Sequence, residues 1–223
     1  MTLPNLPICV IGAGGHAKVV IAALRAGGAD IACAVDTGRP DPADILGVPV
    51  IGEQAFLETY LPDAVNIVLG VGSTAGGSSR QEIFDRFAAS DFRFATLVHP
   101  GAIVDGSAAF GSGCQVMAGA VLQVGVALED NVIVNTGAVI DHDCVIGAHV
   151  HVAPGAVIAG DVHVEAGAHV GCGATIRQGI RIGAGSTVGA GAVVVKDVLA
   201  GTMVVGVPAV AAGFLPAERG ALS

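Results

Sequence analysis

Three stretches of this chain carry side chains whose types and spacing suit chemistry. The first is Asn135-Thr136-Gly137-Ala138-Val139-Ile140-Asp141-His142-Asp143-Cys144, which sets an imidazole between two carboxylates. Histidine titrates near neutrality, so it can take a proton from a reacting group and release it again. Transfer of an acyl group from a thioester to an amine or hydroxyl needs such a base, because an ammonium cannot attack until it loses a proton. A neighbouring carboxylate would fix the ring's tautomer and stabilise the imidazolium, and the residues leave Asp141 and Asp143 as equal candidates. They equally allow a solvated histidine at an exposed corner. The second stretch, Gly12-Ala13-Gly14-Gly15-His16-Ala17-Lys18, follows a short apolar run. Backbone N–H groups at such a strand-to-helix turn hold anions, helped by the helix dipole. Asp36, about 20 residues on, has the spacing of an acid that binds a ribose hydroxyl. A tight turn without a ligand is the alternative, and His16 either meets a sugar or caps the helix. The third is a group of histidines, His149, His151, His163 and His169. Neutral imidazoles ligate zinc, but no zinc-site spacing is reproduced and no metal is expected.

These groups need elements to hold them, and the chain divides into two patterns. Residues 8–94 alternate strand and helix. Strands are expected at 8–11, 31–35, 48–51 and 65–71, with a last one at 93–97. Helices are expected at 18–26, where Gly27 and Gly28 give stop signals, and at 53–60 and 80–89. A Gly/Ser loop covers 72–79. This is a βαβ arrangement on a parallel sheet, about half the size of a full dinucleotide-binding domain.

From Val98 the period changes to six. Val98, Val104, Phe110, Val116 and every sixth residue to Val194 are large and apolar, seventeen positions without a slip. Four residues after each, the side chain is usually small, as in Ala120, Ala138, Cys144, Ala156 and Ala174. Such a repeat is a short strand and a sharp turn, with the large residue inward and the small one in the crowded corner. Three units close an 18-residue triangular coil, and coils stack about 4.8 Å apart. The repeat therefore makes five to six coils. Glycines directly after inward residues (Gly147, Gly171, Gly183, Gly189) are expected to serve close turns and positive φ. His142, two residues after inward Ile140, falls at an exposed corner. His151, one and a half repeats later, falls on a different side, so the two can meet only across a subunit boundary. His151 and His169, 18 apart, stack in adjacent coils.

Composition agrees. Of 223 residues, 52% are hydrophobic, 13% charged and only 4% aromatic, which excludes disorder and suits a narrow core. The net charge of −9, with no basic patch, argues against nucleic acid and anionic membrane as partners. No secretory leader or membrane span is legible, and five cysteines without a CxxC pair read as free thiols of a cytoplasmic protein.

The hexapeptide repeats resemble the left-handed parallel β-helix acyltransferases. Combined with Val10-Ile11-Gly12-Ala13-Gly14-Gly15-His16-Ala17-Lys18, Leu97-Val98-His99-Pro100 and the motif from Asn135 to Cys144, they resemble the bacterial sugar acetyltransferases. That family includes sialic acid O-acetyltransferases and nucleotide-amino-sugar N-acetyltransferases. The resemblance runs from about residue 7 to 210. It implies a Rossmann-like half-domain over 1–96 that binds the sugar substrate, and a left-handed β-helix over 97–223, tail included, that binds acetyl-CoA and forms a homotrimer. It implies His142 as catalytic base with Asp143 behind it, and His151 in contact with the acyl donor. Gly160, Cys172 and Ala190 would hold pantetheine and adenine through backbone groups. Gly12, Gly14, Gly15, His16 and Asp36 would hold a nucleotide-linked amino sugar, with Asn135 near its reacting nitrogen. Two departures stand out. The family's Gly-Asp/Asn-Asn loop is here Gly72-Ser73-Thr74-Ala75-Gly76-Gly77-Ser78-Ser79-Arg80, and a basic residue usual after Gly206-Val207-Pro208-Ala209 is here Val210. Lys196 or Arg177 is left to meet the coenzyme A phosphates. The expected activity is N-acetylation in surface glycan or glycoprotein synthesis. A sialic acid O-acetyltransferase, a non-enzymatic nucleotide-binding assembly module and a zinc enzyme resembling γ-class carbonic anhydrases remain as alternatives.

Overall fold

The computed structural model describes residues 6–36, 44–73, 77 and 79–214. The first half is a six-stranded sheet. Its elements are β1 (Ile8–Ile11), α1 (Gly15–Ala26), β2 (Ile31–Asp36), β3 (Asp44–Ile45), β4 (Val48–Gly52), α2 (Glu53–Thr59), β5 (Asn66–Leu69), α3 (Ser79–Ala88) and β6 (Arg93–Phe94). Strand order is β3-β4-β2-β1-β5-β6. All neighbours are parallel except the β3–β4 hairpin, which the sequence reading did not anticipate. Its turn, Leu46-Gly47, has positive φ at both residues, the geometry of a two-residue hairpin.

Strand alternation divides the core. Ile8 and Val10 pack with α1, whereas Cys9 and Ile11 pack with Phe56, Phe84, Phe87 and Phe92 on the other face. The aromatic side chains collect there, where a sheet and two helices leave room for rings.

The expected strand at 93–97 is two strands in different sheets. β6 ends the first sheet, and Leu97–Val98 begins the solenoid. From there seventeen two-residue strands, β7 to β23, recur every six residues to Val193–Val194. They form three parallel stacks. The first face carries Leu97, Gln115, Ile133, His151, His169 and Thr187 outward; the second carries Ile103, Val121, Val139, Val157, Thr175 and Val193; the third carries Ala109, Ala127, Val145, His163 and Arg181. A hairpin of β24 (Thr202–Val205) and β25 (Val210–Phe214) closes the far end of the first face. The fold is the left-handed β-helix acyltransferase architecture preceded by an α/β region.

The inward phase holds from Val116 onward, where every sixth residue to Val194 is buried, as are the small corner residues Ala120, Ala138, Ala156 and Ala174. It fails at the start. Val98 is 39% exposed, and Val104 and Phe110 are half-buried. These three form the first coil, which has no coil above it and borders a cavity of about 1020 Å³ beside Leu24 and Gly27 at the end of α1. The glycine expectation also needs correction. Positive φ belongs to the glycines three residues after the inward position, such as Gly119, Gly137 and Gly155. Gly147, Gly171, Gly183 and Gly189 lack it and serve close approach instead. A Cβ on Gly171 would lie 2.6 Å from Val188 O and 2.7 Å from Ala190 N in the next coil.

Candidate active site

The candidate residues fall into two groups. His142 stands at the turn between the second and third faces. Its Nδ1 is 2.9 Å from Asp143 Oδ2, and both side chains are exposed. Asp141 is spent otherwise: its carboxylate accepts the His142 backbone N–H at 2.8 Å. The ring is therefore partnered by Asp143, which adopts left-handed backbone (φ 59°) in the turn. This bond leaves Nε2 as the open nitrogen. It also raises the His142 pKa above the ordinary 6.5, with Asp141 and Asp161 adding to the effect. Gly160 lies one coil on, and a Cβ there would overlap His142 Nε2. The absence of a side chain at Gly160 is what lets the imidazole lie over that coil. The exposed Arg177 and Lys196 follow along the same corner, Lys196 two further coils past Gly160 in the His142 column.

Cys172 and Ala190 do not join this group. They lie at the preceding corner, where Gly191 N–H donates to Cys172 O at 2.8 Å and extends a ladder through Pro154 and Thr136. The three positions implied for coenzyme A thus occupy two corners that flank the second face. Cys172 is exposed and its thiol is free.

The second group is buried where the first face meets the α/β half. His16, Asn135 and His151 come together here. His16 Nε2 donates to Gln115 Oε1 at 2.8 Å, and Gln115 Nε2 donates to Leu69 O at 2.6 Å. His151 Nδ1 donates to Ser73 O at 3.1 Å, while its Nε2 accepts from Asn135 Nδ2 at 3.0 Å. Both nitrogens of His151 are engaged, which fixes a neutral tautomer. Burial, then the neighbouring His169, pushes His151 down to about 4. The His169 ring packs edge-on at 5.0 Å, as the 18-residue spacing requires. Burial likewise lowers His16 and His169.

Beside them sits Arg80, 2% exposed. Its NH1 donates to Val71 O at 2.5 Å, while Nε and NH2 have no partner among the described residues. Burial pushes its pKa down to about 9, still charged at neutrality. Gln115 and Arg80 were not legible as site residues. Gln115 looks like any outward strand residue, and Arg80 like the first residue of the helix expected at 80–89.

The Gly-rich turn is open. Gly14 caps α1 with no side-chain bond, and no acid stands in the first turn. His16 therefore does not cap the helix. Gly14 and Gly15 are exposed, and nothing lies within 4 Å of where a Cβ would project. Gly12 is different: its φ of 114° and the Val71 Cγ2 atom 2.7 Å from a would-be Cβ demand glycine. Asp36 ends β2 beside this turn, since Gly12 N–H donates to Val35 O at 2.7 Å. These groups gather at the carboxyl ends of β1, β2 and β5, where open parallel sheets bind ligands. Among the described residues no cluster of three His, Cys, Asp or Glu side chains is arranged to hold a metal, and no helix is long and apolar enough to cross a membrane.

The PglD N-terminal domain family matches residues 7–87. No curated protein sequence matches the chain. Solved structures do. The acetyltransferase domain of PglB from Neisseria gonorrhoeae, in complex with acetyl coenzyme A, is 40% identical with a TM-score of 0.86, covering 93% of this chain and 100% of that one. A variant of perosamine N-acetyltransferase from Caulobacter crescentus, in complex with CoA and GDP-perosamine, is 37% identical with a TM-score of 0.87, covering 96% and 100%. WeeI from Acinetobacter baumannii is 26% identical with a TM-score of 0.78, covering 92% and 99%. At this identity and coverage the chain belongs to the bacterial sugar acetyltransferase family, and it is an acyltransferase.

Proposed function

We propose that the chain N-acetylates a nucleotide-linked amino sugar with acetyl-CoA as donor, in the cytoplasm, for surface glycan or glycoprotein synthesis. Residues 1–96 serve as the sugar-binding domain and residues 97–223 as the acetyltransferase domain. The observation that carries this reading is the exposed His142–Asp143 pair with Nε2 open, on a chain whose uncapped α1 N-terminus can hold phosphate. The acceptor enters as the neutral amine, its ammonium proton already lost to solvent, and His142 Nε2 takes the proton that the amine nitrogen sheds as it attacks. The nitrogen bonds to the thioester carbonyl carbon, the C–S bond breaks, and the proton returns to the departing thiolate. Asp143 stabilises the imidazolium in between. Asn135 lies beside the acceptor and is braced there by His151, whose two ring nitrogens are both engaged within the chain and leave none for the donor's acyl group.

The active unit is a homotrimer. The second face presents Ile103, Val121, Val139, Val157, Thr175 and Val193, a column without charge in which Ile103 is 67% and Val157 41% exposed. Apolar columns of this kind mark subunit contacts. Packing second faces together would bring the Cys172–Ala190 corner of one protomer toward the His142–Gly160 corner of its neighbour, giving coenzyme A two walls.

The test is a panel of UDP-, GDP- and dTDP-linked amino sugars with acetyl-CoA, read by release of free thiol. One member should be acetylated at nitrogen. Acetylation of free sialic acid at oxygen, with no turnover of any nucleotide sugar, would replace this reading.

A further inference from the structure

Arg80 poses a problem that the fold does not solve. Its guanidinium is buried, yet among the described residues two of its three nitrogens have no hydrogen-bond partner. Among the described residues no carboxylate lies within 4.0 Å of it. The side chains that feel its charge are the imidazoles of His16, His149 and His151, together with the Cys114 thiol. A buried cation without an anion is heavily penalised. Its position is informative. The carbonyl that Arg80 holds belongs to Val71, whose side chain abuts the backbone of Gly12 in the Gly-rich turn. A Cβ on neighbouring Gly72 would lie 3.6 Å from the His16 side chain. The guanidinium is thus linked through Val71 to the turn that precedes the uncapped start of α1, where Gly14 and Gly15 open to solvent, and its charge reaches His16 in the first turn.

We propose that Arg80 is a specificity-determining charge, whose missing counter-ion is the diphosphate of the acceptor seated at the α1 N-terminus. The inference rests on the nucleotide-linked reading above. Across a low-dielectric interior, a positive charge acts on a nearby anion far more strongly than through water. Helix N-terminus and guanidinium together favour two adjacent phosphates over a neutral sugar, so the site selects nucleoside diphosphate sugars against free ones.

Titration calorimetry with nucleoside diphosphates (GDP, UDP, dTDP) and the matching nucleosides tests this on the intact protein. Arg80→Met is expected to weaken the preferred diphosphate roughly 10- to 100-fold, the range of one charge-assisted interaction, and to leave the nucleoside within about twofold. The melting temperature of the unliganded variant should hold or rise, because an unpaired buried charge has gone. Arg80→Gln keeps an amide donor for Val71 O but removes the charge, and it should lose the diphosphate to the same degree. Diphosphate affinity retained in either folded variant overturns the proposal. So does a lower melting temperature with equal loss of diphosphate and nucleoside, which marks a clamp on Val71 alone. Wild-type protein that binds none of the three diphosphates would instead remove the nucleotide-linked reading itself.

Discussion

His142 and His151 are nine residues apart in one solenoid, and their surroundings pull them in opposite directions. His142 is exposed, bonded to a carboxylate, and its pKa is raised. His151 is 8% exposed, bonded to a carbonyl and an amide, crowded by His169, and pushed down to about 4. The first keeps one nitrogen free, and its carboxylate partner favours the protonated ring. The second stays neutral and carries hydrogen bonds between two halves of the chain. The same side chain keeps an open nitrogen or becomes a structural bridge according to which neighbour reaches its second nitrogen.

The sharpest test of this contrast is removal of the exposed ring. His142→Ala should lower kcat about 10²- to 10⁴-fold, the usual contribution of general-base catalysis, while leaving the KM for acetyl-CoA nearly unchanged. Full turnover in steady-state assays would make His142 a solvated corner residue.

The buried ring should show itself in stability. His151 has a folded pKa below its unfolded one, so the unfolded chain binds the proton first. Its contribution is complete above about pH 6.5 and is lost as pH falls toward 4. The loss is on the order of 3 kcal/mol, and His16 and His169 act in the same direction. Thermal melts between pH 7 and 4 should show the decline, and His151→Gln should flatten it. Equal slopes in the two proteins would put the acid sensitivity elsewhere.

Gly160→Ala places a methyl group where the His142 ring lies. Gly160 has no positive φ and the atoms nearest the methyl belong to the exposed His142 side chain, so folding should persist while turnover drops roughly tenfold to a hundredfold, as expected for displacement of a reacting group by about 1 Å. Wild-type rates would show that the ring acts from another position.

The mildest effect belongs to Asp143→Asn, where the base remains. A cost on the order of tenfold in kcat is expected, because the lost charge is exposed and screened. The acidic limb of the pH–rate profile should also move to lower pH, since Asp143 is the main cause of the raised His142 pKa. An unmoved limb would assign it to a different group.

The solenoid was legible because its period repeats seventeen times and each inward position makes the same steric demand. The corner placing of His142 followed from that phase, two residues after Ile140. What stayed hidden depends on contacts between distant segments. Nothing near Asp143 in the sequence says that its carboxylate, rather than that of Asp141, reaches the ring; the turn geometry decides it. Gln115 and Arg80 become notable only when the first face docks on the α/β half, which brings residues 69, 71, 80 and 115 together. The close-approach role of Gly171 likewise belongs to the coil beneath it, not to its own turn.

The unfinished first coil has a consequence for how the molecule keeps to itself. Leu97–Val98, Ile103–Val104 and Ala109–Phe110 are the terminal strands of three parallel stacks, and their inward side chains are incompletely covered. Such an end is a template on which another solenoid could grow, coil upon coil, into a fibre. At the opposite end the antiparallel β24–β25 hairpin blocks one stack. At the first coil, α1 and the residues around Leu6 and Pro7 flank the opening. The α/β half therefore acts as a stopper, making growth by stacking sterically awkward at that end.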